Sequence, residues 1–154
     1  TYAFLFTEQE LKIVGNDGIT LLFEPVQTES VAASSPAGIK WKLTGFVDKK
    51  TGEARSPKPD DNFYGSYMHL QLWFKTDGSF VGFSSSNDMG GAYILDLSSS
   101  TIEIQGGIRT MVGELPDGYL FLDTLKPGAR RYEVSDGELR IFGDKDVDLL
   151  FKPY

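Results

Sequence analysis

The sequence contains no cysteine. Disulfides, thiolate metal sites, iron–sulfur clusters and cysteine nucleophiles are therefore excluded. It contains one histidine, His69, which excludes any site built from two imidazoles. Basic charge is scarce: 15 Lys and Arg stand against 22 Asp and Glu, for a net charge of −7. Binding to a phosphate backbone needs a basic surface, so nucleic acid is not expected as a partner. No apolar run approaches the ~18–20 residues that a bilayer-crossing helix requires, so no transmembrane segment is expected in this chain. The opening Thr1-Tyr2-Ala3-Phe4-Leu5-Phe6 has no basic stretch, no small-residue cleavage site and no initiator methionine. It reads as part of a processed product or an internal segment, not as a secretory signal.

What is present is ample apolar material. Hydrophobic residues make up 40% of 154 positions, too many for a disordered chain. A chain of this length buries roughly 70% of its unfolded surface and folds without a metal or a crosslink.

The strongest internal pattern is a repeat. Glu10-Leu11-Lys12-Ile13-Val14-Gly15 continues to Leu21-Leu22-Phe23-Glu24-Pro25, and Glu138-Leu139-Arg140-Ile141-Phe142-Gly143 continues to Leu149-Leu150-Phe151-Lys152-Pro153. Eight of sixteen positions are identical without a gap, at an offset of 128 residues. Each copy reads as strand, tight turn, strand, through Asn16-Asp17-Gly18 and Asp144-Lys145-Asp146. Similar hairpins can converge, but Gly, Pro and Leu-Leu-Phe all fall in register, which favours tandem duplication. Residues 1–25 are then expected to be the closing hairpin of a preceding repeat, 26–38 a small, polar linker, and 39–154 a complete domain. An isolated hairpin is marginal in water. This one is expected to pack on the main domain or to self-associate with another molecule's sheet edge.

Within 39–154 the pattern is mainly β. Lys40–Val47 alternates polar and apolar residues. Asp48–Ser66 is a long polar loop with Pro57 and Pro59. Tyr67–Lys75 reads as a strand with Met68, Leu70, Leu72 and Phe74 on one face and Tyr67, His69, Gln71 and Trp73 on the other. Asp77-Gly78 reads as a two-residue hairpin turn into Ser79–Ser84. Ser85–Gly91 reads as a turn region, Ala92–Leu97 and Thr101–Ile104 as strands, and Gly106-Gly107 as a break. Leu115, Tyr119, Leu122 and Leu125 form a helical stripe, with Asp117 as N-cap and Lys126-Pro127-Gly128 as stop. Arg131–Val134, a turn at Asp136-Gly137 and the final hairpin complete the chain. The expected fold is an antiparallel curled sheet or barrel with one short helix over about 117–126.

Trp41-Lys42-Leu43, Leu72–Phe74, Asp77-Gly78, Phe80, Gly82, Asn87, Gly91 and Tyr93 resemble, in order and spacing, the opening of META/HslJ-type domains. The resemblance runs on through Gly107, Thr110, Phe121, Leu125, Tyr132, Leu139 and Leu150-Phe151. It implies a lipocalin-like β fold in a bacterial cell-envelope protein, lipid-anchored or secreted, with no established catalytic machinery. Many members carry one cysteine beside the Asn and another after the Thr segment. Here Ser86 precedes Asn87, and Val112-Gly113-Glu114 holds none, so any thiol-dependent role is absent.

Chemistry candidates are few, and no catalytic, metal or cofactor residue is assigned. Asp144-Lys145-Asp146-Val147-Asp148 begins like a calcium loop, but Leu149 replaces the required sixth-position Gly and the chain ends before the twelfth position. It reads as a solvated hairpin tip. Asp60-Asp61 has no carboxylate that can be placed opposite it, and His69 has no identifiable triad partners. The aromatics Phe63, Tyr64, Tyr67 and Trp73 are the one candidate ligand-binding group, with plugging of one barrel end as their structural alternative. The expected function is a non-enzymatic interaction module with a protein or surface partner. A small-molecule or glycan-binding lipocalin-like module is the alternative, and an unrecognised hydrolase ranks last.

Overall fold

The structure, a computed structural model, describes residues 3–6, 11–14, 19–23, 35–58, 70–108, 110 and 112–154. The chain divides into two units, Thr1–Val31 and Ala32–Tyr154.

The first unit holds three short strands, β1 (Ala3–Phe6), β2 (Leu11–Val14) and β3 (Thr20–Phe23), paired antiparallel in the order β1-β2-β3. The repeat hairpin is thus β2–β3, and β1 adds a third strand to it.

The second unit follows the order β4 (Lys40–Asp48), β5 (Ala54–Arg55), β6 (Gln71–Phe74), β7 (Ser79–Phe83), β8 (Asp88–Asp96), β9 (Thr101–Ile108), α1 (Pro116–Thr124), β10 (Gly128–Ser135), β11 (Glu138–Ile141) and β12 (Val147–Pro153). Among the described residues neighbouring strands pair antiparallel, and β12 returns to pair with β4. Strands β4 and β6–β12 therefore close into an eight-stranded barrel, with β5 as a short addition to β4. Closure leaves none of these eight strands as an open edge. The long Asp48–Ser66 loop of the sequence reading contains β5, and residues 59–69 lie outside the described residues.

Alternation places one side chain in two inside the barrel. Trp41, Leu43, Leu72, Phe74, Phe80, Ile102, Ile104, Tyr132, Leu139, Ile141, Leu149 and Phe151 are buried in one cluster. Trp41 stays inside because its indole N–H donates to the Pro36 carbonyl at 2.8 Å. The phase of β4 changes midway: Leu150 faces Gly45 while Phe151 faces Leu43, so Thr44 is a bulge. That shift brings Phe46 to the core, where simple alternation from Trp41 would not put it.

The turns obey local chemistry. Asp136 and Gly137 both have positive φ, 52° and 76°, as a type I′ two-residue hairpin demands. At Asp77-Gly78 the loop is instead three residues long. The Lys75 N–H still donates to the Ser79 carbonyl at 2.8 Å, and Gly78 takes φ 84°. Asp96 opens the β8–β9 loop by accepting from the Ser98 N–H at 2.9 Å and its hydroxyl at 2.6 Å. Hydrogen bonds from the Ser98 and Ser99 side chains and nearby N–H groups hold its carboxyl down at about 2.

Gly90-Gly91 and Gly106-Gly107 are not a turn and a break. They face each other across β8 and β9, Gly90 opposite Gly107 and Gly91 opposite Gly106. A Cβ at Gly91 would meet the Gln105 carbonyl and the Gly106 Cα, so the two backbones approach as only glycine permits.

Helix α1 keeps close to its expected span, and Leu115, Leu122 and Leu125 of the expected stripe are buried, but Tyr119 is not. Tyr119 is 60% exposed, and the buried face runs Gly118, Phe121, Leu122 and Leu125. Phe121 meets Phe151 edge-on with ring centres 6.3 Å apart, which sets the helix against the barrel interior. Leu115 is the N-cap and Pro116 the first helical residue, so Asp117, expected as the cap, lies two residues past it in the first turn.

Candidate functional site

Of the four aromatics proposed as a binding group, Phe63, Tyr64 and Tyr67 lie outside the described residues, as do His69, Asp60 and Asp61. Trp73 is described, and it does not plug the barrel. Its neighbours in β6, Leu72 and Phe74, point inward, so Trp73 stands on the outer face.

Register builds a surface around it. Trp73 faces Lys40 of β4 on one side and Val81 of β7 on the other. One pair along, Gln71 lies between Lys42 and Phe83. Lys40, Gln71, Trp73, Val81 and Phe83 thus share one outer patch, with a shallow recess of about 230 Å3. Phe83 is 50% exposed within it. The Lys40 and Lys75 ammonium groups sit 4.8 Å and 4.9 Å from the Trp73 ring centre. Lys75 is placed by its backbone, which accepts a 2.5 Å hydrogen bond from the buried Tyr93 hydroxyl. Lys42 adds a third cation, 5.9 Å from the Tyr154 ring. The result is an aromatic and apolar patch rimmed with lysine on an acidic protein. Sequence reasoning found Trp73 but missed Lys40, Val81 and Phe83, because they join it only through strand register.

The other polar clusters are structural locks. Asn87, Ser84 and Ser85 converge on the segment before α1. The Asn87 amide donates to the Glu114 carboxylate at 2.6 Å, and both serine hydroxyls donate to the same carboxylate. These groups tie the β7–β8 turn to the segment before α1. The Ser86 hydroxyl is buried with no hydrogen-bond partner among the described residues.

Asp117 anchors α1 to the loop after β5. It takes a two-pronged ion pair from Arg55 at 2.9 and 2.7 Å and the Lys58 N–H at 2.8 Å. Burial pushes its carboxyl up, but the Arg55 and Lys58 contacts outweigh that and hold it below the usual range. The same pair raises Arg55.

At the other end of α1, the buried Arg130 donates to the Thr124 and Lys126 carbonyls at 3.2 and 3.3 Å, completing acceptors that the helix end leaves open. It also pairs with Asp144 at 3.0 Å. The Asp144–Asp148 run is therefore not simply a solvated tip. Asp144 serves Arg130, and Asp148 is buried against Arg140 and the Gly143 N–H. Among the described residues, no group of three or more His, Cys, Asp or Glu side chains is arranged to hold a metal ion. No helix among them is long and apolar enough to cross a membrane.

No family model and no curated protein sequence matches the chain. A solved structure does: a DUF4847 family protein from Bacteroides vulgatus, at TM-score 0.56 and 16% identity, covering 76% of this chain and 93% of that one. At that identity the likeness establishes a shared barrel fold.

Proposed function

We propose that the chain is a non-enzymatic, META/HslJ-like interaction module of a bacterial cell-envelope protein, lipid-anchored or secreted, which meets its partner through the outer face around Trp73. The envelope setting is carried by the resemblance of residues 41–151 to that family. The observation that carries the mode of action is the Trp73 patch itself. An indole with ammonium groups 4.8 and 4.9 Å from its ring centre, beside a half-exposed phenylalanine, presents apolar surface and positive charge together. The complementary partner surface is anionic with a flat apolar element. The filled interior favours this reading over that of a carrier, because Trp41, Phe74, Phe80, Phe121 and Phe151 occupy the space a lipocalin-type ligand would take.

A second reading shares the same patch: a glycan binder that stacks an acidic sugar ring on Trp73. Titration of the full chain with polyglutamate and with polygalacturonate, followed by tryptophan fluorescence and by amide shifts at Val81 and Phe83, tests both. Saturable shifts that vanish in Trp73→Ala and in the Lys40→Glu, Lys75→Glu pair support the patch, and preference between the two polymers selects the partner class. Shifts confined to other faces, or no shifts with either polymer, count against it.

A further inference from the structure

The three strands of the first unit repeat the pairing of the last three strands of the barrel. At the offset of 128 residues, Phe4 opposite Ile13 corresponds to Tyr132 opposite Ile141, and Leu5 opposite Lys12 to Glu133 opposite Arg140. Phe6 opposite Leu11 corresponds to Val134 opposite Leu139. On the other side, Leu11 opposite Phe23 corresponds to Leu139 opposite Phe151, and Ile13 opposite Leu21 to Ile141 opposite Leu149. A slip of one residue would reverse every face, so agreement across both strand pairs is a specific match. It also extends to β1, where Ala3–Phe6 shares no identical residue with Arg131–Val134.

Burial separates the two copies. Leu149 is fully buried in the barrel, whereas its counterpart Leu21 is 51% exposed. In the barrel, β10 and β12 have outer neighbours, β9 and β4. The first sheet ends at β1 and β3. A three-stranded sheet with both outer edges unpaired among the described residues and Leu21 half exposed is incomplete by the same logic that closes the barrel.

We infer that β1–β3 are the closing strands of a second barrel of this fold, and that the Leu21 face and the outer edges of β1 and β3 are covered by a five-strand body of the β4, β6–β9 type. The outer edge of β3 pairs with a β4-like strand, and a β9-like strand joins at the start of β1, where Ala3 corresponds to Arg131, the last β10 residue in register with β9. A second copy of this chain is the poorer occupant, because its own β10–β12 already fill that place. This inference is independent of the Trp73 reading.

The test extends the full chain. A further copy of residues 36–129 is joined ahead of Tyr2, so that β1–β3 follow it as β10–β12 follow the original. Amide exchange at Leu21 and Leu22 should slow by at least about tenfold, toward the rates of Leu149 and Leu150. Leu21→Asp should abolish protection in the added copy and leave the original barrel unchanged. A control extension, with residues 130–153 in place of 2–25, must fold two barrels and shows that the joint permits it. If the control folds while the added copy ahead of β1–β3 stays unprotected, the inference fails. It also fails if the unextended chain sediments as a dimer in which residues 11–23 are already protected.

Discussion

Asn87 grips Val112 from both sides: its amide donates to the Val112 carbonyl at 2.8 Å, and its carbonyl accepts the Val112 N–H at 2.7 Å. One side chain thus imitates a strand neighbour for a segment that lies in no sheet. The same amide reaches Glu114, and the carbonyl also accepts from the Thr110 hydroxyl. Asn87→Ala leaves several of these groups unpaired in a buried place. The expected loss is about 2–4 kcal/mol in urea unfolding, with the slope unchanged.

Gly118 sits inside α1, where glycine ordinarily costs about 1 kcal/mol relative to alanine. Its absent side chain has a reason, because a Cβ there would collide with the Glu114 carboxylate and the Ser85 hydroxyl. Gly118→Ala should therefore destabilise the barrel by about 1–3 kcal/mol, against the sign of helix propensity. Tyr119→Ala, on the exposed side of the same helix, should stay within about 0.5 kcal/mol. Thermal unfolding of the two variants side by side checks the contrast.

The barrel was legible where local rules act alone. Alternation identified Leu72 and Phe74 as inward, and Asp136-Gly137 announced a two-residue turn. The errors have a common cause in partners distant along the chain. The four glycines of β8 and β9 look like breakers until they are set opposite one another. In α1 the stripe Leu115, Leu122 and Leu125 was legible, whereas Tyr119 faces solvent and the Phe151 ring and the Ser85–Glu114 lock bring Phe121 and Gly118 inward. Thr44 becomes a bulge through its register with β12. The Trp73 patch was half legible for the same reason, since Lys40 and Phe83 arrive from other strands.

Acid should loosen the attachment of α1. The Asp117 carboxyl is held below its ordinary value by Arg55 and Lys58, against the upward push of burial. A lowered folded-state value means that the contribution is fully present above the unfolded value, near 3.9, and is lost as pH falls through the folded value. Arg55 is partly exposed, so solvent screens the pair, and Asp117→Asn should cost about 1–2 kcal/mol at neutral pH. The cost should shrink toward zero as pH falls through the lowered folded-state value. Asp48, Asp77 and Asp96 are also lowered, by turn hydrogen bonds. They steepen the acid slope of both proteins alike, so the difference between wild type and Asp117→Asn isolates the ion pair. A difference independent of pH would show that the charge is not what matters.

Asp148 closes the last hairpin from within. It is 2% exposed, accepts the Gly143 N–H at 3.0 Å and a 2.7 Å bond from Arg140, and lies 3.6 Å from the Lys49 ammonium. The two variants separate shape from charge. Asp148→Asn keeps an acceptor for Gly143 but strips Arg140 and Lys49 of their counter-ion, and should cost about 2 kcal/mol. Asp148→Leu also orphans the Gly143 N–H and should cost about 4 kcal/mol. Arg140 is partly exposed and can turn to water, which keeps the first figure below that of a fully buried broken pair. A double-mutant cycle with Arg140→Met completes the argument. If the ion pair carries the cost, Arg140→Met should lose most of its own effect in the Asp148→Asn background, leaving a coupling of about 1 kcal/mol or more in urea unfolding. Strict additivity would place the cost outside the Arg140 pair, in the lost attraction to the Lys49 ammonium 3.6 Å away.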